Sequence, residues 1–166
     1  MLHTPLRVAR KRFVLLASQF NGPITRALVR GATDVLRRAG ATPGNIQLLW
    51  VPGAFELPVV AARLATSRRC PHAIIALGAL IRGQTPQYEV LAHAVAQGLS
   101  QVAVSARIPV TFGIVVATTR AQAHARAGLP RRKRGGEKAG HVVNRGAEAA
   151  TAALAVLNLF ETLRGR

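Results

Sequence analysis

The centre of the chain reads Ala73-Ile74-Ile75-Ala76-Leu77-Gly78-Ala79-Leu80, an apolar run bounded by Pro71-His72 on one side and Arg82-Gly83 on the other. A short apolar run without alternation is typical of a strand that is covered on both faces. Apolar side chains with a helical spacing follow from about Gln87 to Ser105. The sequence therefore predicts a central strand of a parallel sheet, followed by a helix.

The same alternation of strand and helix extends outward in both directions. Towards the N-terminus, strands predicted at 13–18 and 46–51 precede helices that end near Gly40 and Thr66. Towards the C-terminus, a strand from Pro109 through Val116 precedes a short helix with a Thr119 capping box that ends at Gly128, and a last helix runs over about 144–163. We expect an α/β fold: a three-layer α/β/α sandwich with a four-stranded parallel sheet and flavodoxin-like winding.

The bulk composition limits the class of protein. The 166 residues suffice for one well-filled domain, 1–166, and 49% of them are hydrophobic, with Ala and Val prominent. We expect closely approaching helices and a contribution to stability from partner subunits. The single Cys70 excludes an internal disulfide framework and a cysteine metal cluster. Neither a membrane span nor a secretion signal is indicated, so the expected location is the cytoplasm.

The formal net charge of +17 is unevenly distributed. Basic residues crowd a predicted N-terminal arm, 1–12, and a long connection, 129–143, which is expected to be mobile or functional. The charge favours solubility, attraction of anionic substrates, or nonspecific binding of nucleic acid. Aromatic residues are not interleaved with the charges, so a base-stacking platform for single strands is not indicated.

Six of the thirteen acidic and aromatic residues lie in or shortly after four segments that are predicted to connect elements: Phe20, Phe55, Tyr88, Glu56, Glu89 and Glu148. These segments are 20–23, 51–56, 80–86 and 144–148. The carboxyl edge of a parallel sheet is where α/β proteins bind ligands. We therefore expect the four segments to converge on a binding site.

Two of the basic or polar features each permit two interpretations. Gly83-Gln84-Thr85-Pro86 is either a plain turn or an anion site at a helix N-terminus. Arg126 is either a favourable cation at a helix C-terminus or a phosphate partner.

The aromatic and acidic loop residues are equally open to two interpretations. Phe20 and Phe55 either fold back onto the core or stack on a flat heterocycle. Glu56 and Glu148 either accept hydrogen bonds from a ligand or are favoured at helix starts by the helix dipole.

Taken together, four runs resemble the lumazine synthase family in order and spacing, and the likeness extends from about Arg12 to Arg164. The runs are Val51-Pro52-Gly53-Ala54-Phe55-Glu56-Leu57-Pro58, Ala76-Leu77-Gly78-Ala79-Leu80-Ile81-Arg82-Gly83-Gln84-Thr85-Pro86, Pro109-Val110-Thr111-Phe112-Gly113 and Asn144-Arg145-Gly146-Ala147-Glu148-Ala149-Ala150. The resemblance implies a transferase of riboflavin biosynthesis, which condenses 5-amino-6-(D-ribitylamino)uracil with 3,4-dihydroxy-2-butanone 4-phosphate to 6,7-dimethyl-8-ribityllumazine. No metal and no organic cofactor takes part. The resemblance also implies a homo-oligomer built of pentamers, up to a larger particle or hollow shell, with riboflavin synthase as a pathway partner.

The resemblance further implies roles for individual residues. Phe20 looks like the ring that stacks on the pyrimidine, the stretch 54–56 resembles the one that holds the ribityl chain, and the backbone at 80–81 would meet the uracil edge. Arg126 joins the loop at 83–85 in the phosphate site, and Phe112 matches a residue from the neighbouring subunit. The expected catalytic residues are Gln87 and Arg126, and the expected substrate-binding residues are Phe20, Asn21, Ala54, Phe55, Glu56, Leu80, Ile81, Gly83, Gln84, Thr85, Phe112, Arg145 and Glu148.

Two departures from the family pattern leave alternatives open. Gln87 stands where the family commonly has His, its usual proton-transfer residue, and Gln cannot titrate near neutral pH. His141 would substitute if its loop folds inward, whereas His93 is expected to be an ordinary helical residue.

The basic connection at 129–143 is longer than usual by about ten residues, and Arg145 replaces a Lys. The connection is a solvated loop, a phosphate-attracting rim, or a contact surface in an assembly. The alternative functions are a catalytically impaired ligand-binding or shell-forming member and a basic nucleic-acid-binding assembly.

Overall fold

A parallel sheet of four strands forms the middle layer of the protein. The computed structural model describes residues 8–129 and 143–164, and in them the strands are β1 (Phe13–Ser18), β2 (Ile46–Val51), β3 (Ala73–Ile81) and β4 (Val110–Ala117). They pair in the order β2-β1-β3-β4. The central apolar run is thus the interior strand β3, which is buried along its length except for a half-buried last residue, as its composition predicts.

Helices cover both faces of the sheet. They are α1 (Gly22–Arg38), α2 (Leu57–Ala65), α3 (Gln87–Ala106), α4 (Arg120–Arg126) and α5 (Arg145–Arg164). Odd-numbered residues of β1 and β3, such as Leu15 and Ile75, pack with α1, α4 and α5. Even-numbered residues, such as Leu16 and Ile74, pack with α2 and α3. This alternation with a period of two produces two cores, and the predicted three-layer α/β/α architecture is confirmed.

Helices α1 and α5 lie very close together because their contact is made of small residues. Gly146 packs against the backbone carbonyl of Leu28, and a Cβ at that position would overlap it. Gly31 of α1 likewise abuts the side chain of Asn144. Alanines of α5 fill the core beneath this contact. The Ala-rich composition therefore builds closely spaced helices, as expected.

The helix ends follow the sequence signals. Gly40 has a φ of 99° just after α1, and Gly128 has a φ of 69° just after α4. At the start of α4, Gln122 N donates to Thr119 Oγ1 at 3.2 Å, and Thr119 N donates to Gln122 Oε1 at 3.3 Å. This is the predicted reciprocal capping.

The structure differs from the expectations at several boundaries. Short 3-10 turns at Val8–Arg10 and Pro43–Asn45 were not predicted, because three residues leave no periodic signal. Strand β3 is one residue longer than predicted, and β4 begins and ends one residue later. Helix α5 begins at 145 because Asn144 caps it, with its Oδ1 accepting from Ala147 N at 3.0 Å.

Parts of the two predicted basic segments lie outside the described residues. The arm at 1–12 is described only from Val8, and the connection at 129–143 only at Leu129 and Val143. His141 and the basic cluster of that connection therefore lie outside. Among the helices that the structure describes, none has both the length and the apolar character needed to span a bilayer.

Candidate active site

Backbone hydrogen bonds join the loops after β1 and β2 at the carboxyl edge of the sheet. Gln19 N donates to Val51 O at 2.8 Å, and Phe20 N donates to Pro52 O at 3.2 Å. These bonds extend the β1–β2 contact past the strand ends and leave the Phe20 ring 71% exposed. The ring does not fold back onto the core, so its face is available for stacking.

Asn21 fixes the turn that carries Phe20. Its backbone is left-handed, with φ 58° and ψ 38°, a conformation that Asn tolerates better than most residues. Its side-chain Nδ2 donates to the Ala79 carbonyl of β3 at 2.9 Å. Its own carbonyl accepts from Ile24 N and Thr25 N at the start of α1. Asn21 thus links the Phe20 turn to the central strand.

The loop after β2 presents one exposed ring and one carboxylate. Phe55 is 60% exposed, whereas the Ala54 methyl group is buried in the core, so only the backbone of Ala54 is open to a ligand. Glu56 stands at the N-cap position of α2, and its Oε2 accepts from Gly53 N at 2.8 Å. In this chain Glu56 is therefore a helix-start residue with one carboxylate oxygen engaged by its own loop.

The connection from β3 to α3 is open to solvent. Leu80 is buried and Ile81 half-buried at the strand end, and Gly83, Gln84 and Thr85 are exposed. Pro86 occupies the N-cap position of α3 and makes no capping hydrogen bond, so no side chain in the described ranges accepts from the first helical N–H groups. An exposed helix N-terminus of this kind attracts anions. Gln87 is the first residue of α3 and is exposed.

A tyrosine and a carboxylate beside Gln87 form a contact that the sequence interpretation missed. Tyr88 Oη donates to Glu89 Oε1 at 2.7 Å. This hydrogen bond, with a smaller contribution from burial, raises the pKa of Tyr88 above its usual value near 10. His93 Nδ1 lies 2.8 Å from the Glu89 carbonyl within the same helix, in the ordinary helical role expected of it. Side chains of adjacent helical residues do not normally face each other, so the sequence gave no indication of this contact.

A second group of predicted residues lies at the free edge of β4. Phe112, Arg126 and Arg145 line a pocket of about 420 Å³. Arg145 Nη1 donates to Glu148 Oε2 at 2.6 Å, so one guanidinium is balanced by a carboxylate. Arg126 forms no ion pair with any carboxylate that the structure describes. A pocket with an unbalanced guanidinium beside an aromatic ring suits an anion.

Asn144 holds this second group in place. Its Nδ2 donates to Ala27 O of α1 at 3.1 Å and to Ala127 O, just after α4, at 2.8 Å. Because Asn144 immediately precedes Arg145, the same residue joins the end of α4 to the start of α5. An Asn directly before a helix signals a cap in the sequence, but its two carbonyl partners are distant in the chain and gave no signal.

Within one chain the predicted residues therefore form two groups. The rim group comprises the loops after β1, β2 and β3, and the edge group comprises Phe112, Arg126 and Arg145. In the β3–β4 register Phe112 lies opposite Ala76, whereas Leu80 lies opposite Val116. The strand ends one residue further on, at Ala117, so Phe112 is roughly 17 Å from the strand end, at about 3.3 Å per residue. Thr85 is not among the described residues that line the Arg126 pocket.

In the two described ranges, no group of three or more His, Cys, Asp or Glu side chains is placed to hold a metal ion. The chemistry available at the rim is stacking, hydrogen bonding and anion binding.

Comparison with known proteins adds an independent line of evidence. Residues 10–161 match the family model of 6,7-dimethyl-8-ribityllumazine synthase. A protein named 6,7-dimethyl-8-ribityllumazine synthase from Gemmatimonas aurantiaca is 42% identical over 151 residues, which cover 91% of this chain and 85% of the relative. A protein of the same name from Leuconostoc mesenteroides is 37% identical over 154 residues, which cover 93% of this chain and 91% of the relative. The chain belongs to the 6,7-dimethyl-8-ribityllumazine synthase family.

Proposed function

We propose that the chain condenses 5-amino-6-(D-ribitylamino)uracil with 3,4-dihydroxy-2-butanone 4-phosphate to 6,7-dimethyl-8-ribityllumazine, at a site composed of the rim group of one copy and the edge group of another. Family membership makes it a transferase of riboflavin biosynthesis. The observation that carries the shared site is the separation of the two groups. Phe20 and Phe55 are exposed at the rim. Arg126 and Arg145, which are suited to bind a phosphate, lie instead in the pocket beside Phe112 of β4.

The rim group supplies the binding surface for the uracil substrate. The Phe20 ring stacks on the flat pyrimidine. The loop that contains Ala54, Phe55 and Glu56 holds the ribityl chain, with Glu56 able to accept a hydroxyl hydrogen bond through its second carboxylate oxygen. The backbone of Leu80 and Ile81 meets the edge of the uracil ring.

The phosphate of the second substrate binds between the two groups. Gly83, Gln84 and Thr85 offer backbone N–H groups at the uncapped start of α3, where the helix dipole favours an anion. Arg126 of the neighbouring copy adds a bidentate, charge-assisted contact. Arg145 lines the same pocket, and its Glu148 partner limits its mobility.

The reaction needs proton transfers rather than a metal or an organic cofactor. The substrate amine adds to the ketone and water leaves to give an imine, the phosphate leaves as a second group, and ring closure expels another water. Holding the reactants side by side supplies a large part of the rate. Gln87 at the start of α3 can orient a hydrogen bond but cannot exchange a proton near neutral pH.

A site shared between copies requires an oligomer. We propose pentamers, in which each copy gives its edge group to the next, since a head-to-tail contact produces a ring when the rotation between copies closes. Such pentamers can assemble further into a larger particle. The proposal includes a cytoplasmic location and supply of the product to a riboflavin synthase.

The test is an assay with both substrates, followed by the absorbance of the lumazine product. Product must form faster than in the uncatalysed mixture. Arg126→Ala is expected to raise the KM for the phosphorylated ketone by about tenfold or more and to change the KM for the uracil much less, because a charge-assisted contact contributes about 1.5–3 kcal/mol. No product above the uncatalysed rate, with both substrates bound, would overturn the proposal.

A further inference from the structure

We propose that the edge of the sheet opposite the candidate active site binds the phosphodiester backbone of a nucleic acid without reading its sequence. The surface consists of six exposed arginines, here called the arginine edge: Arg10, Arg12, Arg37, Arg68, Arg69 and Arg107. None of them belongs to the rim group or the edge group. The proposal is therefore independent of the condensation reaction.

The topology brings these arginines to one edge. Because all four strands are parallel, the segments that lead into them meet at the amino edge of the sheet. Arg10 and Arg12 precede β1, and Arg37 lies in the last turn of α1 ahead of β2. Arg68 and Arg69 precede β3, and Arg107 precedes β4.

Hydrogen bonds hold neighbouring segments of this edge together. Arg12 Nη2 donates to Cys70 O at 2.9 Å, and His72 N donates to Arg12 O at 2.8 Å. Asn45 Nδ2 donates to Ala9 O at 3.2 Å. The segments before β1, β2 and β3 are thus joined into one surface.

Local structure accounts for some of these charges but not for all of them. The helix dipole favours a cation in the last turn of a helix, which explains Arg37. Arg12 donates to Cys70 O, whereas Arg68 and Arg69 lie beyond the last residue of α2 and make no side-chain hydrogen bond with a described residue. Arg107 has a φ of 55°, a left-handed conformation that costs a non-glycine residue about 1–2 kcal/mol. Glycine would be more stable there, so the charge at this position is present despite the backbone.

The arginine edge is not neutralised within the described part of the chain. The nearby Glu161 carboxylate pairs with Lys11, and none of the six arginines forms an ion pair with a described residue. The carboxylates of Glu89 and Glu148 do not neutralise the arginine edge either, because they lie in the first turns of α3 and α5. The arginine edge therefore presents several positive charges that no described carboxylate neutralises.

A phosphodiester backbone fits the arginine edge better than a membrane surface does. Strands lie about 4.8 Å apart, so the segments that lead into four strands extend over roughly 15 Å, a length that covers several phosphates of a nucleic acid strand. Guanidinium groups bind phosphate oxygens in a bidentate manner. The exposed rings of Phe20 and Phe55, which could insert into a bilayer, lie at the opposite edge. Phe13, the aromatic residue next to Arg12, is buried and offers no ring for base stacking, so we expect binding to be independent of base sequence.

The experiment compares two triple variants of equal charge in the full chain. One is Arg68→Gln, Arg69→Gln, Arg107→Gln on the arginine edge; the matched control is Arg26→Gln, Arg30→Gln, Arg120→Gln on exposed positions of α1 and α4. Binding of a fluorescein-labelled oligouridylate of about 30 nucleotides is followed by anisotropy at increasing KCl. Both triples retain every basic residue outside the described ranges, so those residues cancel in the comparison.

The arginine-edge triple is expected to weaken binding by about tenfold at low salt and to reduce the slope of log K against log[KCl] by about 2, since each lost phosphate contact on a single strand contributes about 0.7. The control triple is expected to weaken binding by less than about threefold, through net charge alone. Arg107→Gly, which relaxes the left-handed position, is expected to keep the fold and to weaken binding by about twofold.

Three outcomes would overturn the proposal. The first is an equal loss in both triples, and the second is no binding of oligouridylate by the unmodified chain at low salt. The third is sedimentation with phosphatidylserine vesicles that depends on the arginine edge while oligouridylate binding does not, which would assign the surface to a membrane.

Discussion

The side-chain amide of Asn21 donates to the carbonyl oxygen of Ala79 at 2.9 Å and so ties the Phe20 turn to the central strand of the sheet. The same residue adopts a left-handed backbone, with a φ of 58°. Two separate features of Asn21 therefore determine where the Phe20 ring is presented.

Substitution at Asn21 separates these two features. Asn21→Ala loses the hydrogen bond and strains the backbone, whereas Asn21→Gly loses only the hydrogen bond. We expect Asn21→Gly to cost about 0.5–1.5 kcal/mol of unfolding free energy and Asn21→Ala to cost about 1 kcal/mol more, measured by urea denaturation. Both variants should raise the KM for the uracil substrate more than they lower kcat. Equal stability of the two variants would contradict the role of the left-handed turn.

The Tyr88–Glu89 hydrogen bond predicts an unusual alkaline titration. The chain has one Tyr, so its ionisation is read directly from absorbance near 295 nm. We expect a midpoint above the usual value near 10, because the hydrogen bond raises the pKa of Tyr88. The fold favours the protonated phenol, so this contribution to stability is complete below about pH 10 and is lost as the pH rises through the raised pKa.

Glu89→Ala provides the control for that titration. Removal of the carboxylate deletes the hydrogen bond and the negative charge together, and the midpoint should move down towards 10. Identical midpoints in the two proteins would show that Glu89 does not hold the phenol.

The contact between α1 and α5 predicts a position that does not tolerate a methyl group. Gly146→Ala places a Cβ against the Leu28 carbonyl, and we expect a loss of about 1–3 kcal/mol of unfolding free energy, or more. Gly44→Ala is the matched control, because the only atom near a Cβ at that position is at ordinary contact distance. The control should remain within about 0.5 kcal/mol of the unmodified chain. Similar thermal denaturation of both variants would argue against the close helix contact.

Gln87 predicts a slow reaction with little dependence on pH near neutrality. Gln87→His supplies a group that titrates near pH 6.5 at the exposed start of α3, and general acid–base help typically contributes a factor of about 100 or more. We expect kcat to rise at least about tenfold, with a new pH dependence. Gln87→Asn is the control, since it keeps the amide and should leave the pH profile flat. If kcat is unchanged in Gln87→His, proton transfer at this position does not limit the reaction.

The sequence predicted the fold closely because its signals were local. The uninterrupted apolar run of β3, the glycines after α1 and α4, and the Thr119 capping box each act within a few residues, and each is observed. The motifs of the rim loops pointed to Phe20 and Phe55, whose side chains are exposed, and their role in binding a ligand stays a prediction.

Contacts between segments distant in the chain could not be predicted in the same way. The two carbonyl partners of Asn144 and the Ala79 partner of Asn21 are set by how the layers pack, and no local pattern records them. The sequence also placed Arg126 beside Gly83, Gln84 and Thr85. In one chain Arg126 lines a pocket with Phe112 instead. In the proposed site, Arg126 reaches the loop at 83–85 only across the contact between two copies.

A complementation assay tests the shared site most directly. Phe20→Ala removes the ring of the rim group, and Arg126→Ala removes the guanidinium of the edge group. Each variant alone should therefore have little activity when the ketone is held well below the raised KM of the Arg126 variant. When equal amounts are unfolded together and reassembled, about one quarter of the sites in a head-to-tail ring should receive both intact groups by chance. We predict that the mixture regains about one quarter of the activity of the unmodified protein. Activity of the mixture no higher than the mean of the two variants would contradict a site formed by two copies.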